Sequence, residues 1–238
     1  MPLARRRVLI LGGSSDIGVE LIKLFIKKKW LVTAHYNKNN KVLNKISSRY
    51  FKSINLDFFD IKDKTINLIN KKFDTHYDSI INLIGYTDNK SYNDFNIDDC
   101  LKSIKVNAIV PMFFIKKFSK KMNQRKWGRI VNCSSIGVKY GGGKNSFNYS
   151  ISKQTLEFIP NVYKTWAKNN VYINTLRLGV VNTKLHKRLK NKNLDKRIKL
   201  IPANKMAQTK DIINLIYFLS SDDNQFITGE KITIAGGE

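Results

Sequence analysis

A tyrosine and a lysine four residues apart, Tyr149 and Lys153, open a helical, apolar-periodic stretch, Asn148-Tyr149-Ser150-Ile151-Ser152-Lys153. Residues i and i+4 share one face of a helix. A phenol with an ordinary pKa of about 10 keeps its proton at neutral pH, but a nearby ammonium stabilises the phenolate, and about 1.36 kcal/mol of such stabilisation makes the proton tenfold easier to remove. Lys153 beside Tyr149 would therefore make a tunable general acid. Taken alone, the pair is better read as an amphipathic surface tyrosine and one lysine among many. The rest of the chain changes that balance.

A second chemistry-bearing stretch lies near the start. Arg7-Val8-Leu9-Ile10-Leu11 reads as a buried strand and runs into Gly12-Gly13-Ser14-Ser15-Asp16-Ile17-Gly18, then an amphipathic helix to about Lys28. A strand that turns through glycines into a helix N-terminus presents backbone N–H groups and a positive dipole end to a phosphate. The next strand, Leu31–His35, ends at Tyr36-Asn37-Lys38, where NAD-specific folds of this kind place an acid on the ribose hydroxyls. Between Glu20 and Asp57 no carboxylate occurs. Asn37, Lys38 and Ser14 could instead meet a 2′-phosphate, so NADP(H) is preferred with NAD(H) kept open, Lys38 being otherwise an incidental lysine. His35 reads as a strand residue, and no second His or Cys lies near enough to suggest a metal site.

The Gly-x-x-x-Asp-Ile-Gly turn resembles the Gly-x-x-x-Gly-Ile-Gly turn of the short-chain dehydrogenase/reductase family, and Tyr149-x-x-x-Lys153 stands at that family's distance downstream. The resemblance spans residues 7–237. It implies that Gly12, Ser14, Ser15, Ile17 and Gly18 meet the cofactor phosphates and that Asp57, after a strand at Ser53–Leu56, contacts the adenine amino group. Asn82 and Gly85, after a strand at Ser79–Ile81, match the segment that stabilises the central sheet. Asn107 matches a helix asparagine holding a water that leads to the catalytic lysine. A strand at Gly128–Cys133 delivers Ser134-Ser135, and a serine there bonds the substrate carbonyl; Ser135 is the choice, with Ser134 the second candidate. After a strand at Val171–Leu176, Gly179, Val181 and Thr183 match the turn that contacts the nicotinamide carboxamide. Lys153 would also hold a nicotinamide ribose hydroxyl. Phe226–Gly237 resembles the family's last strand and terminal glycines.

Asp16 departs from the family pattern. Two unit charges about 4 Å apart cost roughly 4 kcal/mol at an effective dielectric near 20, against about 0.3–1 kcal/mol gained by an acid at a helix N-terminus. Asp16 is therefore expected to point away from the phosphates and to support the helix start.

These elements imply an α/β fold, one doubly wound Rossmann-type domain over 1–238 with a parallel sheet flanked by helices on both faces. With 238 residues, 42% of them hydrophobic, the chain can bury a full core. Cys100 and Cys133 offer neither a disulfide framework nor CxxC spacing, which makes a reducing cytoplasm the default. The apolar run around Ile109–Ile115 contains a proline and is too short to span a bilayer. Gly141-Gly142-Gly143-Lys144-Asn145-Ser146 fails the P-loop spacing and reads as a wall of the substrate pocket.

The net charge of +25, from 43 Lys+Arg against 18 Asp+Glu, attracts polyanions. No RRM, KH or zinc-finger pattern carries nucleic-acid chemistry, and abundant Lys, Asn and Ile together point to coding bias. One cluster exceeds that bias. Of the sixteen residues Lys184–Lys199, eight are Lys or Arg, where the chain-wide rate of 43 in 238 gives about three. In the family this segment, about 184–205, is the lid over the substrate. A cationic lid would favour an anionic carbonyl substrate. The leading candidate is a 3-oxoacyl thioester on acyl carrier protein or coenzyme A, followed by a sugar nucleotide or surface-polysaccharide precursor, with a non-catalytic polyanion-binding or cofactor-sensing protein as the rival of another class. The resemblance also implies a homodimer or homotetramer pairing helices near Asp98–Lys121 and Tyr149–Lys168.

Overall fold

The computed structural model describes residues 5–38, 41–59, 63–184 and 194–238. Seven strands form one parallel sheet in the order β3-β2-β1-β4-β5-β6-β7. They are β1 (Arg7–Leu11), β2 (Leu31–Tyr36), β3 (Phe51–Asn55), β4 (Ser79–Asn82), β5 (Gly128–Ser135), β6 (Val171–Leu178) and β7 (Lys231–Ile234). Helices α1 (Asp16–Lys27), α2 (Asp63–Lys72), α3 (Ile97–Ile104), α4 (Val110–Gln124), α5 (Phe147–Leu156), α6 (Tyr163–Ala167), α7 (Leu194–Lys199) and α8 (Thr209–Ser220) connect or follow them. Every sequence-derived strand is present, most shifted or lengthened by one or two residues at an end.

The central strands are apolar without alternation because both faces are covered. On β1, Leu9 and Leu11 join one core with Ile80, Phe114 and Ile130, while Val8 and Ile10 join the other with Leu21, Phe25, Ile81 and Ile216. Successive side chains on a strand point to opposite faces, so one short run serves two cores. The chain leaves β1 toward β2 on one side and returns to β4 on the other. That reversal opens a crevice beyond the carboxyl ends of β1 and β4, the usual ligand position in such sheets.

His35 fastens the strand ends on one side of the crevice. Its Nδ1 accepts from Gly12 N at 3.4 Å and its Nε2 lies 2.8 Å from the Leu56 carbonyl. That pattern fixes the neutral tautomer with the proton on Nε2. The ring is 3% exposed and stacks on Phe58 with centroids 4.1 Å apart. Burial brings its pKa down to about 4, against the opposing pull of the Leu56 hydrogen bond.

A histidine whose folded pKa lies below its unfolded value of about 6.5 contributes stability that is present above pH 6.5 and is lost as pH falls toward about 4. The loss should reach roughly 2–3 kcal/mol. Thermal melts from pH 7 to pH 4 should therefore fall more steeply for the wild type than for His35→Gln; parallel slopes would contradict this role.

Candidate active site

Helix α5 carries Tyr149 and Lys153 across the carboxyl ends of β4 and β5. Lys153, 2% exposed, donates from Nζ to the carbonyl of Ile84 at 2.7 Å and to that of Cys133 at 2.8 Å. Its ammonium lies 5.7 Å from the Tyr149 ring centre. The Tyr149 hydroxyl hydrogen-bonds to the Ser135 side chain, and Ser135 Oγ also accepts from Gly137 N at 3.1 Å. Ser134 faces the other way, donating to Glu157 Oε1 at 2.8 Å. Adjacent strand residues must diverge in this manner. Of the two serines weighed from sequence, Ser135 is the one brought to Tyr149. Gly85 borders the ring on another side, where an added Cβ would stand 4.0 Å from Tyr149 Cε2.

The electrostatics correct one expectation. Part of Tyr149 remains accessible, yet the protein packed around it pushes the pKa up to about 12, with the Ser135 hydrogen bond opposing. Burial brings Lys153 down to about 8. Burial, rather than the nearby ammonium of Lys153, thus sets the direction of the Tyr149 shift in this arrangement. Desolvation disfavours whichever form is charged, and the two carbonyls hold Nζ against the strand ends.

Asn107 lies in a π-helical turn, Lys105–Ile109, between α3 and α4. Pro111 has no N–H to give to the Asn107 carbonyl four residues back, a local reason for the α-ladder to loosen here. The side chain is fully engaged. Its Oδ1 accepts from Tyr86 N, and its Nδ2 donates to Tyr86 O and Ser152 Oγ, all at 2.8 Å. Asn107 thereby binds the segment after β4 to the middle of α5.

At the glycine turn, Ser15 caps α1, accepting from Gly18 N at 3.1 Å and donating to Gly12 O at 3.0 Å. Ser14 and Ile17 are half-buried beside it. Asp16 is the first residue of α1, as expected of a residue supporting the helix start, and its carboxylate reaches across to Lys184. Asn37 donates to Asp57 at 3.4 Å, and Lys38 is exposed next to them. Gly179 N donates to Ile234 O at 2.9 Å, and a Cβ on Gly179 would come within 2.6 Å of Ala235 Cα, so close packing requires glycine there. Val181 bridges to Ala207, and Thr183 is half-buried. Of the lid segment, residues 185–193 lie outside the described residues.

A family model described as enoyl-(acyl carrier protein) reductase matches residues 14–238. The 3-oxoacyl-[acyl-carrier-protein] reductase FabG of Aquifex aeolicus is 31% identical over 176 residues, 71% of each chain. The chain is a short-chain dehydrogenase/reductase. FabG of Buchnera aphidicola subsp. Schizaphis graminum is 27% identical, covering 100% of this chain and 98% of its own. Among solved structures, 4-hydroxyisoleucine dehydrogenase complexed with NADH superposes with a TM-score of 0.85 at 26% identity over 98% of both chains. ElxO with NADP bound gives 0.82 at 29%, again over 98% of both.

This short-chain dehydrogenase/reductase is an NAD(P)-dependent oxidoreductase acting on CH–OH groups, and its residues fit the dinucleotide. Gly12 has φ +79° and a Cβ there would meet the Leu83 backbone at 3.0 Å, which keeps the turn slim and pressed against the β4 exit. Lys153 uses two donors on carbonyls and has a third. Asn82 Nδ2, at the carboxyl end of β4, is buried with no hydrogen-bond partner among the described residues.

One group that sequence reading missed is a carboxylate network behind the site. Glu157 sits four residues after Lys153 on the same helix face, with its side chain 0% exposed. It accepts from Arg177 Nε at 2.9 Å, from Arg177 Nη2 at 2.6 Å and from Ser134. β5, α5 and β6 are thus joined just before Ser135, after Lys153 and before Gly179. The signal was present as an acid on the buried face of α5 and an arginine inside an apolar strand. Arg177→Met would leave Glu157 buried without its cation, a loss of about 3 kcal/mol, and should lower the melting temperature by roughly 6–12 °C. Adding Glu157→Gln should recover part of that loss; a double variant no better than the single would contradict the pairing.

Proposed function

We propose that this short-chain dehydrogenase/reductase reduces the ketone of an anionic, carrier-bound 3-oxoacyl thioester to the secondary alcohol, with NADPH preferred. The single observation that carries the reading is the Tyr149–Ser135 hydrogen bond beside a buried Lys153, which offers two hydroxyls to one carbonyl oxygen. When bound, the nicotinamide supplies a hydride to the carbonyl carbon. Tyr149 gives its proton to the oxygen as alkoxide character develops, and Ser135 donates a hydrogen bond to the same atom. A phenol whose pKa is held near 12 stays protonated at neutral pH, and an alkoxide is a stronger base still, so the transfer remains favourable. Lys153, with a pKa near 8, is mostly cationic at pH 7 and would hold a ribose hydroxyl with its third donor. Asn107 would keep the β4 exit and α5 in register for this relay and hold a water that leads to Lys153.

Gly12, Ser14, Ser15, Ile17 and Gly18 would hold the pyrophosphate, Asn37 and Lys38 the 2′-phosphate, and Asp57 the adenine. Asn82 and Gly85 would line the nicotinamide half, with Gly179, Val181 and Thr183 meeting its carboxamide. The preference for NADPH is supported by the missing carboxylate at the end of β2, where Asn37 and Lys38 stand. The thioester is supported by the FabG relatives and by an acetoacetyl-CoA reductase of Cupriavidus necator at 26% identity, together with the basic segment at 184–199.

Assembly into a homodimer or homotetramer is supported by apolar side chains left outside. Ile97, Leu101 and Ile109 are 66%, 58% and 50% exposed along one helical line, and Phe158 and Val162 add 66% and 45% just past α5. A closed symmetric oligomer would cover them. Light scattering at micromolar concentration should give a dimer or tetramer for the wild type and a smaller species for Leu101→Glu; a wild-type monomer would remove the oligomer from the reading. No helix among the described residues is long and apolar enough to cross a membrane; a cytoplasmic location belongs to the same proposal.

Two measurements test the chemistry. Tyr149→Phe should lower kcat/KM by about 100-fold or more, some 2.7 kcal/mol of barrier, while NADPH binding stays near wild type. Activity retained within about tenfold would take Tyr149 out of the role of proton donor. NADPH oxidation with a 3-oxoacyl phosphopantetheine thioester should be fast at low salt and fall steeply as salt rises, while a neutral ketone is hardly affected. Equal salt responses would reject recognition of an anionic substrate, and no turnover of the thioester at any salt would reject the substrate class.

A further inference from the structure

Tyr149 is the third residue of α5, in the end turn where helices fray and where the first N–H groups lack partners within the helix. The helix brings no cap of its own. Ser146 stands at the N-cap position without a side-chain bond to the helix, and its hydroxyl turns back to Gly143, accepting from N at 2.8 Å and donating to O at 3.3 Å. The hold comes instead from the chain leaving β4. Asn148 is fully buried and donates from Nδ2 to Asp88 Oδ2 at 2.7 Å, while Asp88 Oδ1 accepts from Lys90 N at 3.2 Å. An ionised carboxylate only accepts, so the donor end of the amide is the end that faces it. Asn148 Oδ1 has no partner among the described residues, which leaves Asp88 as the one polar tether of that side chain there. Lys90 O also accepts from Phe147 N at 3.4 Å, and the rings of Tyr92 and Phe95 meet Phe147 edge-on with centroids 5.0 and 5.9 Å away. Asn89, between Asp88 and Lys90, has φ +59°, a left-handed conformation that asparagine tolerates.

We propose that Asp88 is a positioning residue: by clasping Asn148 it sets where the first turn of α5, and with it the Tyr149 hydroxyl, stands against Ser135. The inference rests on the reading of Tyr149 as the proton donor. Lys153 pins α5 one turn further on, through Ile84 O and Cys133 O, and Asn107 holds Ser152, whose hydroxyl donates to Tyr149 O at 2.6 Å. Those contacts lie at or after Tyr149. Asp88 acts on the residue before it, so the donor is bracketed along the chain from both sides. Hydrogen bonds weaken steeply outside a narrow range of distance and angle, and a misplacement of about 1 Å in a reacting group costs about 100-fold in rate. A carboxylate beside a helix start is also favoured by the positive end of the helix dipole.

The test uses the full chain, with NADPH oxidation by a 3-oxoacyl phosphopantetheine thioester measured at a temperature where circular dichroism shows every variant folded. Asp88→Ala should lower kcat about tenfold or more, while the thioester KM and the NADPH Kd stay within about twofold. Asn148→Asp sets two carboxylates against each other and should lower kcat as well. In the exchange of Asp88→Asn with Asn148→Asp, the new amide at 88 can accept from Lys90 N and donate to the new carboxylate at 148, so the bond is kept with its direction reversed. The exchange should recover kcat about threefold or more over Asn148→Asp alone. Added to Tyr149→Phe, Asp88→Ala should cost less than about twofold, because the donor it places is already gone. An Asp88→Ala enzyme whose kcat stays within about twofold of wild type would overturn the proposal even if it melts lower, since that pattern is a stability effect alone. An equal loss with and without the Tyr149 hydroxyl, or an exchange no better than Asn148→Asp, would overturn it too. If Tyr149→Phe is inactive while Asp88→Ala is fully active, the donor reading stands and the positioning role falls; a Tyr149→Phe enzyme that keeps its activity defeats both.

Discussion

An ammonium buried on carbonyls alone is the constraint around which this molecule is arranged. Lys153 is 2% exposed and meets two backbone carbonyls, one past β4 and one on β5. Removing a charge from water costs several kcal/mol unless dipoles replace the solvent. Those dipoles exist only if β4 and β5 end where they do and α5 lies across them. The turn after β4 is held by Asn82 Oδ1 accepting from Ile84 N at 3.0 Å, and the Tyr86 backbone by Asn107. Each of these polar side chains thus helps to present a carbonyl to the same cation.

The solution recurs away from the site. Arg129 is 0% exposed and donates only to the carbonyls of Gly128, Asn170 and Asn224 among the described residues, while its guanidinium lies over Trp127 and Tyr172 at 4.6 and 4.2 Å. Burial brings its pKa down to about 10, so it stays cationic at neutral pH. Glu157 is treated differently, with a two-pronged arginine. In a chain with 43 basic and 18 acidic residues, carboxylates are scarce, and several of them, Asp16, Asp78, Glu157, Asp222 and Glu238 among them, tie together separate segments of the chain.

The strands, the glycine turn and the Tyr149–Lys153 face were legible because each is written locally, as an apolar run, a turn chemistry or a helical spacing. Sequence alone offered both Ser134 and Ser135, and which of the two faces Tyr149 depends on the strand's facing, which spacing does not register. The direction in which the Tyr149 pKa moves was not legible, since it depends on how much protein surrounds the phenol, and sequence spacing registers only the nearby lysine. Asn107 was recognised as a residue with a task, whereas its partners Tyr86 and Ser152 are set by packing of the β4 exit against α5. The Asp16–Lys184 and Glu157–Arg177 pairs join elements that meet only in three dimensions. The placement of residues 185–193 in the lid lies outside the described residues.

The position of β1 also bears on how the chain reaches this structure. β1 is made first but lies inside the sheet, and its second neighbour, β4, begins at Ser79, some seventy residues later in the chain. Until that strand exists, the side of Val8–Leu11 facing β4 presents unpaired N–H and C=O groups on one of the most apolar runs of the molecule. Non-local pairing of this kind slows folding, because the intervening loop must be closed before any contact rewards it. A chain in which β4 has yet to be made therefore carries an almost wholly buried strand as an open edge, and it stays exposed to mispairing until β4 arrives.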